Sequence, residues 1–142
     1  MNATSKARFD AITVGDVLPE RAFTASNVSL FLYNAAIWNA HRIHYDAPYT
    51  TDVEKHPAVV IDGPLQGDWM SQCVLDWMGE DGALLKFQYA NRRASYLGET
   101  LKTVGCITAK DDAAKTVTME LGVQNEAGEI IAPGSAVVRF GG

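Results

Sequence analysis

Apolar residues first fall into a regular rhythm at Val28, Leu30, Phe31, Tyr33 and Ile37. Recurrence at three and four positions predicts a helix, with Ser26 or Asn27 as its cap. The rhythm breaks after Trp38. From Asn39 to Pro57 the chain carries all three of its histidines and two prolines, so that stretch predicts irregular structure with at most a helical turn. A second helical rhythm opens at Asp62-Gly63-Pro64, where a capping residue precedes proline in the first turn, and continues through Leu65, Trp69, Met70, Cys73, Val74, Trp77 and Met78. A helix apolar over so much of its circumference has to be wrapped by other structure, and Gly67 permits close backbone approach on one side. Gly79-Glu80-Asp81-Gly82 marks its end and a turn.

Beyond that turn the period changes to two. Leu85, Phe87 and Tyr89 alternate with Lys86 and Gln88, the pattern of a half-buried strand. Leu101 to Ala109 is strand-like. Val117, Met119, Leu121 and Val123 alternate with Thr116, Thr118 and Glu120, and Ala136 to Phe140 follows the Pro133-Gly134 break as the last strand. Turns at Asp111-Asp112 and at Glu126-Ala127-Gly128-Glu129 make consecutive strands an antiparallel meander, and Arg21 to Ala25 supplies an early strand. The expected class is α+β, with an antiparallel sheet wrapped around a central apolar helix.

Composition narrows the picture. The 142 residues, 47% of them hydrophobic, fit a single domain spanning 1–142, with enough core to need neither disulfides nor a structural metal. Asn2 to Lys6 is polar and expected to be disordered. Twelve Lys and Arg against seventeen Asp and Glu leave a formal charge of −5, and the basic residues are scattered, so no nucleic-acid partner is expected. No run approaches the ~18 apolar residues of a membrane helix, and Met1 to Asp10 lacks the apolar stretch of a signal peptide. The expectation is a cytoplasmic protein with no membrane partner. Cys73 and Cys106 lie in apolar patterned segments without Cys-x-x-Cys spacing, and are read as buried and reduced.

Residues able to do chemistry concentrate in Asn39-Ala40-His41-Arg42-Ile43-His44-Tyr45-Asp46. An ordinary polar loop can contain the same residues. His41, His44 and Asp46 could also offer three metal ligands, but Arg42 stands between them and no second ligand cluster exists, so no metal is expected. A third reading uses histidine as a general base, which can accept and return a proton near neutral pH and so suits the addition or removal of water. The start of the second helix complements it: Gly63 offers a backbone N–H and the positive end of the helix dipole to a developing oxyanion, whereas Pro64 has no N–H to give.

Three stretches together, Trp38 to Asp46, Pro48-Tyr49, and Val59-Val60-Ile61-Asp62-Gly63-Pro64-Leu65-Gln66, resemble the MaoC-like acyl dehydratases. The wording is most similar to the branch containing mesaconyl-CoA and itaconyl-CoA hydratases. The resemblance implies a hotdog fold and hydration of a 2-enoyl-CoA thioester, or the reverse dehydration of a 3-hydroxyacyl-CoA. His44, Asp46 and Gly63 occupy the motif positions. By this resemblance the catalytic set is His44 as general base, Gly63 as oxyanion donor and Asn39, while His41, Arg42, Asp46, Asp62 and Pro64 bind substrate. Coenzyme A is then part of the substrate, no separate cofactor is required, and Arg42, Arg92 and Arg93 are candidates for its phosphates. Tyr89 and Tyr96 could face the acyl tunnel, but alternation places them equally well in ordinary packing, and neither is assigned a site role.

Two departures stand out. The better-known pattern has an aspartate five residues before the histidine, where this chain has Asn39, which cannot accept a proton as a carboxylate does. The similar branch also tends to use asparagine there. It usually has histidine before the helix glycine, where this chain has Asp62. The family further implies a homodimer or higher homo-oligomer. Alternatives are a partner-dependent subunit of a heteromer with a second, unlike hotdog chain, and an acyl-CoA thioesterase.

Overall fold

The computed structural model describes residues 8–141; Asn2 to Lys6, expected to be disordered, lies outside them. Strand β1 spans Arg21–Thr24, helix α1 Asn27–Ala36, helix α2 Gly63–Met78, and strands β2 to β5 span Gly82–Tyr89, Thr100–Asp111, Thr116–Gln124 and Ile130–Phe140. The strands form one antiparallel sheet in the order β1-β3-β4-β5-β2. Helix α2 touches β2, β3, β4 and β5, so the sheet curls around it in the hotdog arrangement. Trp69, Met70, Cys73, Val74 and Met78 of α2 meet Leu101, Ile107, Met119, Val123 and Val138 in one core.

The β3-β4-β5 meander agrees with the expected turns, and every second residue from Val117 to Val123 is buried. Strand β2 is different. It skips its sequence neighbour and pairs with β5 at the far edge, and a bulge between Leu84 and Lys86 inserts Leu85 into the ladder. The bulge moves Leu84 and Phe87 onto the core, while Leu85 is 46% exposed, so the strict Leu85-Phe87-Tyr89 face is corrected by one extra residue. Strand β5 is also longer than expected and runs straight through Pro133-Gly134. Pro133 accepts from the Ala90 N–H at 2.9 Å but has no N–H to return, so the regular ladder with β2 ends there, and the following residues are tied to β5 through the Arg92 and Arg93 N–H groups, which donate to the Ile131 carbonyl at 2.9 and 3.2 Å.

Alternation corrects a cysteine as well. Leu101, Thr103, Gly105 and Ile107 face the core from β3, which leaves Cys106 on the other side and only half-buried, whereas Cys73 is buried as expected. Burial pushes the Cys73 thiol above its usual value, the direction of an inert core thiol. In α1 only Leu30 and Asn34 are buried, leaving Val28, Phe31 and Leu32 exposed. The helix is capped by Ser26, whose side chain accepts from the Ser29 N–H at 3.1 Å while Ser29 Oγ accepts from the Ser26 N–H at 2.8 Å. Gly67 does admit a close neighbour, but that neighbour is the Tyr89 ring; a Cβ at Gly67 would lie 2.4 Å from Tyr89 Cζ. Among the described residues, no helix is long and apolar enough to cross a membrane.

Candidate active site

The irregular stretch after α1 folds as two short turns, a 3₁₀ turn at Arg42–His44 and a π-helical turn at Tyr49–Val53. Local bonds explain why. Arg42 and Asp46 pair side chain to side chain at 2.7 Å, the guanidinium stacks over the Tyr49 ring, and Asp46 Oδ1 accepts from the Tyr49 N–H at 3.1 Å to cap the second turn. Both the Arg42 charge and the Tyr49 N–H hold the Asp46 carboxyl below its usual range. The Val60 N–H donates to the Ile43 carbonyl at 2.9 Å, and the segment before α2 is tied to residues 95–97 through Ile61 N–H to Ser95 O and Leu97 N–H to Val59 O, both 2.9 Å. These bonds bring the turn bearing His44 against the start of α2.

His44 is buried with 11% of its side chain accessible. Its Nδ1 lies 2.8 Å from the Val60 carbonyl. A carbonyl only accepts, so Nδ1 carries the proton and Nε2 of the neutral ring is left with the lone pair. The ring lines a cleft of about 290 Å³ together with Gly63, Pro64, Gln66, Asn91, Arg92 and Arg93. Gly63 is the first residue of α2, where no preceding turn can use its N–H. A Cβ there would lie 2.0 Å from Asn91 Nδ2, so the glycine also lets the Asn91 amide lie across the helix tip.

Asp62 does not cap α2 through its side chain. It is fully buried, although the resemblance put it beside substrate, and its Oδ2 accepts from Asn34 Nδ2 at 2.9 Å. Its Oδ1 lies 3.4 Å from Asn39 Nδ2 and 3.5 Å from His44 Nε2. Burial pushes the Asp62 carboxyl upward, opposed by the Asn34 hydrogen bond and the charge of His44. Asn39 spends its other amide atom on the chain, accepting from the His41 N–H at 3.1 Å. His41 is exposed and sets its ring edge-on to His44, 5.7 Å away.

Of the residues singled out from sequence, His44, Gly63, Pro64, Arg92 and Arg93 meet at the cleft, and Asn39 and Asp62 stand behind His44. Arg42 and Asp46 do not line the cleft; they brace the turn that carries the histidine. Arg93 pairs with Glu129 at 2.7 Å. Two residues that line the cleft, Asn91 and Gln66, were missed, as was Asn34, which bonds Asp62 behind His44. Asn34 lies within the apolar rhythm of α1, and Gln66 on the buried side of α2, so the only available signal was a polar residue at a core position. Gln66 donates to Ser95 Oγ at 3.1 Å and its Oε1 has no partner among the described residues. Among those residues no group of three or more His, Cys, Asp or Glu side chains could hold a metal.

The family model of hydroxyacyl-thioester dehydratase type 2 matches residues 3–97, more than half of the chain. Thirty-six residues are 53% identical to the mesaconyl-C(4)-CoA hydratase of Chloroflexus aurantiacus, over 25% of this chain and 13% of that protein. Forty-three are 44% identical to the mitochondrial hydroxyacyl-thioester dehydratase type 2 of Schizosaccharomyces pombe, over 30% of this chain and 14% of that protein. The matched stretches thus span only a small part of these curated relatives. Among solved structures, the (R)-hydratase from A. caviae involved in PHA biosynthesis superposes with a TM-score of 0.83 at 15% identity, over 92% of this chain and 98% of that one. With more than half its length matched by the family model and its sheet wrapped on α2 in the hotdog manner, the chain belongs to the hydroxyacyl-thioester dehydratase type 2 family of MaoC-like proteins.

Proposed function

We propose that this chain adds water to a 2-enoyl-CoA thioester and catalyses the reverse dehydration of a 3-hydroxyacyl-CoA. The observation that carries the reading is the shared cleft of His44 and Gly63, with Nδ1 spent on Val60 and Nε2 free for proton transfer. In the hydration direction a water O–H bond breaks, its oxygen bonds the β-carbon and its proton goes to Nε2. The π electrons of the double bond pass toward the thioester oxygen, where the Gly63 N–H and the dipole of α2 stabilise the enolate. The proton then moves from Nε2 to the α-carbon, so base and neutral product are regenerated together.

Coenzyme A enters as part of the substrate. Arg92 lines the cleft and forms no ion pair among the described residues, which suits it to a phosphate, whereas Arg93 is engaged by Glu129. Asn39 contributes by holding the His41 backbone and the Asp62 carboxylate. The hydratase and dehydratase names of the matching relatives agree with this reaction type. Because a single chain leaves β1 and β2 as unpaired sheet edges, we also propose that it works as a homodimer.

The test is an assay on a panel of enoyl-CoA and 3-hydroxyacyl-CoA esters, following enoyl absorbance and free thiol together. Interconversion without thiol release is expected, and His44→Ala should lower kcat by about 10²- to 10⁴-fold in a protein that stays folded by circular dichroism. Thiol release in place of hydration, or full turnover by His44→Ala, ends this reading.

A further inference from the structure

Asp62 is a carboxylate with no accessible surface, and a charge in that setting persists only when it is partnered. It does not serve the end of its own helix, and no Lys or Arg among the described residues pairs with it. Every partner it has converges from elsewhere: Asn34 from α1 on Oδ2, Asn39 from the following loop on Oδ1, and His44 Nε2 at 3.5 Å from Oδ1. Two amides thus aim a buried carboxylate at the one imidazole nitrogen left free for chemistry.

We propose that Asp62 is the charge partner of His44, a positioning residue that sets the orientation and basicity of Nε2 and offsets the imidazolium formed when that nitrogen takes a proton from water. The role of Nε2 rests on the hydratase reading above; the pairing does not. When the proton moves from water to Nε2, the pair changes from a carboxylate beside a neutral ring to a carboxylate beside a cation, and the cation is discharged when the proton passes to the α-carbon. The other ionisable groups around the pair are Tyr33 from α1, the His41 ring 5.7 Å from that of His44, and Arg92 and Arg93 across the cleft. Asn39 Nδ2 stands 3.4 Å from the same carboxylate oxygen, so position 39 is the neighbouring place from which a relocated carboxylate is tested against the ring.

Position swapping separates a charge role from a packing role. Wild type, D62N and N39D/D62N are compared in two measurements. The first follows the His44 ring by NMR from about pH 4 to 9 and needs no substrate. Loss of the facing carboxylate disfavours imidazolium, so the D62N midpoint is expected to fall by about one pH unit, and N39D/D62N is expected to recover most of it. The second is the kcat and KM of hydration. D62N is expected to lose about 10²-fold in kcat with little change in KM, its acid limb moving to lower pH, and the double variant to regain at least tenfold.

An unchanged midpoint in D62N, or a folded D62N with wild-type kcat and pH profile, overturns the pairing. If D62N does not fold, N39D/D62N carries the test: a wild-type-like midpoint supports the pair, and a midpoint lowered by about a unit overturns it. A lowered midpoint in D62N, with the wild-type protein inactive on every ester, would leave the pair standing and remove the hydratase reading.

Discussion

At the scale of single residues, the site depends on which atom of each side chain is already spent. Val60 takes Nδ1 of His44, the His41 backbone takes Oδ1 of Asn39, and Asn34 takes Oδ2 of Asp62, so each group is left with one atom toward the next. The Arg42–Asp46 pair shows the same economy outside the cleft. Asp46 has a folded value depressed by Arg42 and by the Tyr49 N–H, so its contribution to stability is present above the usual carboxylate value and is lost as pH falls through the lowered one. Asp46→Asn should therefore lower the melting temperature at neutral pH and converge with wild type in acid. Melting curves across pH check this, and a pH-independent difference would contradict it.

At the scale of elements, small residues set how closely helix and sheet approach. Gly67 is buried on α2 beneath the Tyr89 ring at the end of β2. Gly67→Ala places a methyl 2.4 Å from Cζ of that ring, and the tyrosine has to leave its position. The better helix propensity of alanine, worth about 1 kcal/mol, is set against overpacking of about 1–3 kcal/mol. Net destabilisation is expected by urea titration, and a variant as stable as wild type would show that the ring moves freely. The bulge at Leu85 and the proline at 133 act at the same scale. One rotates β2 onto the core; at the other the regular ladder ends, and the bond from the Arg92 N–H to the Ile131 carbonyl holds Asn91 and Arg92 beside β5 at the cleft.

At the scale of the whole molecule, a single chain leaves features that a second copy can satisfy. Among the described residues both edges of the sheet, β1 and β2, are open, and Val28, Phe31, Leu32 and Trp38 project from or beside α1, Trp38 with 94% of its surface exposed. Open edges and apolar side chains together favour association. Light scattering on the purified protein is expected to report twice the mass of the chain; the mass of one chain at micromolar concentration would count against the homodimer.

Periodicity was enough to place α2 and the β3-β4-β5 meander, because there a 3.6- or 2-residue rhythm follows directly from which face is buried; in α1 the rhythm located the helix although Val28, Phe31 and Leu32 are exposed. The density of polar groups from Asn39 to Asp46 marked the stretch, the resemblance singled out His44 within it, and the structure brings that ring and Gly63 to one cleft. Tertiary structure alone decided that β2 lies beside β5, that Leu85 bulges, and that Asp62 turns away from its helix toward His44. Those outcomes depend on contacts between residues distant in the chain, such as Asn34 with Asp62 and Ala90 with Pro133. A local pattern records whether a side chain is buried, but the partner it meets there is chosen by how distant segments pack.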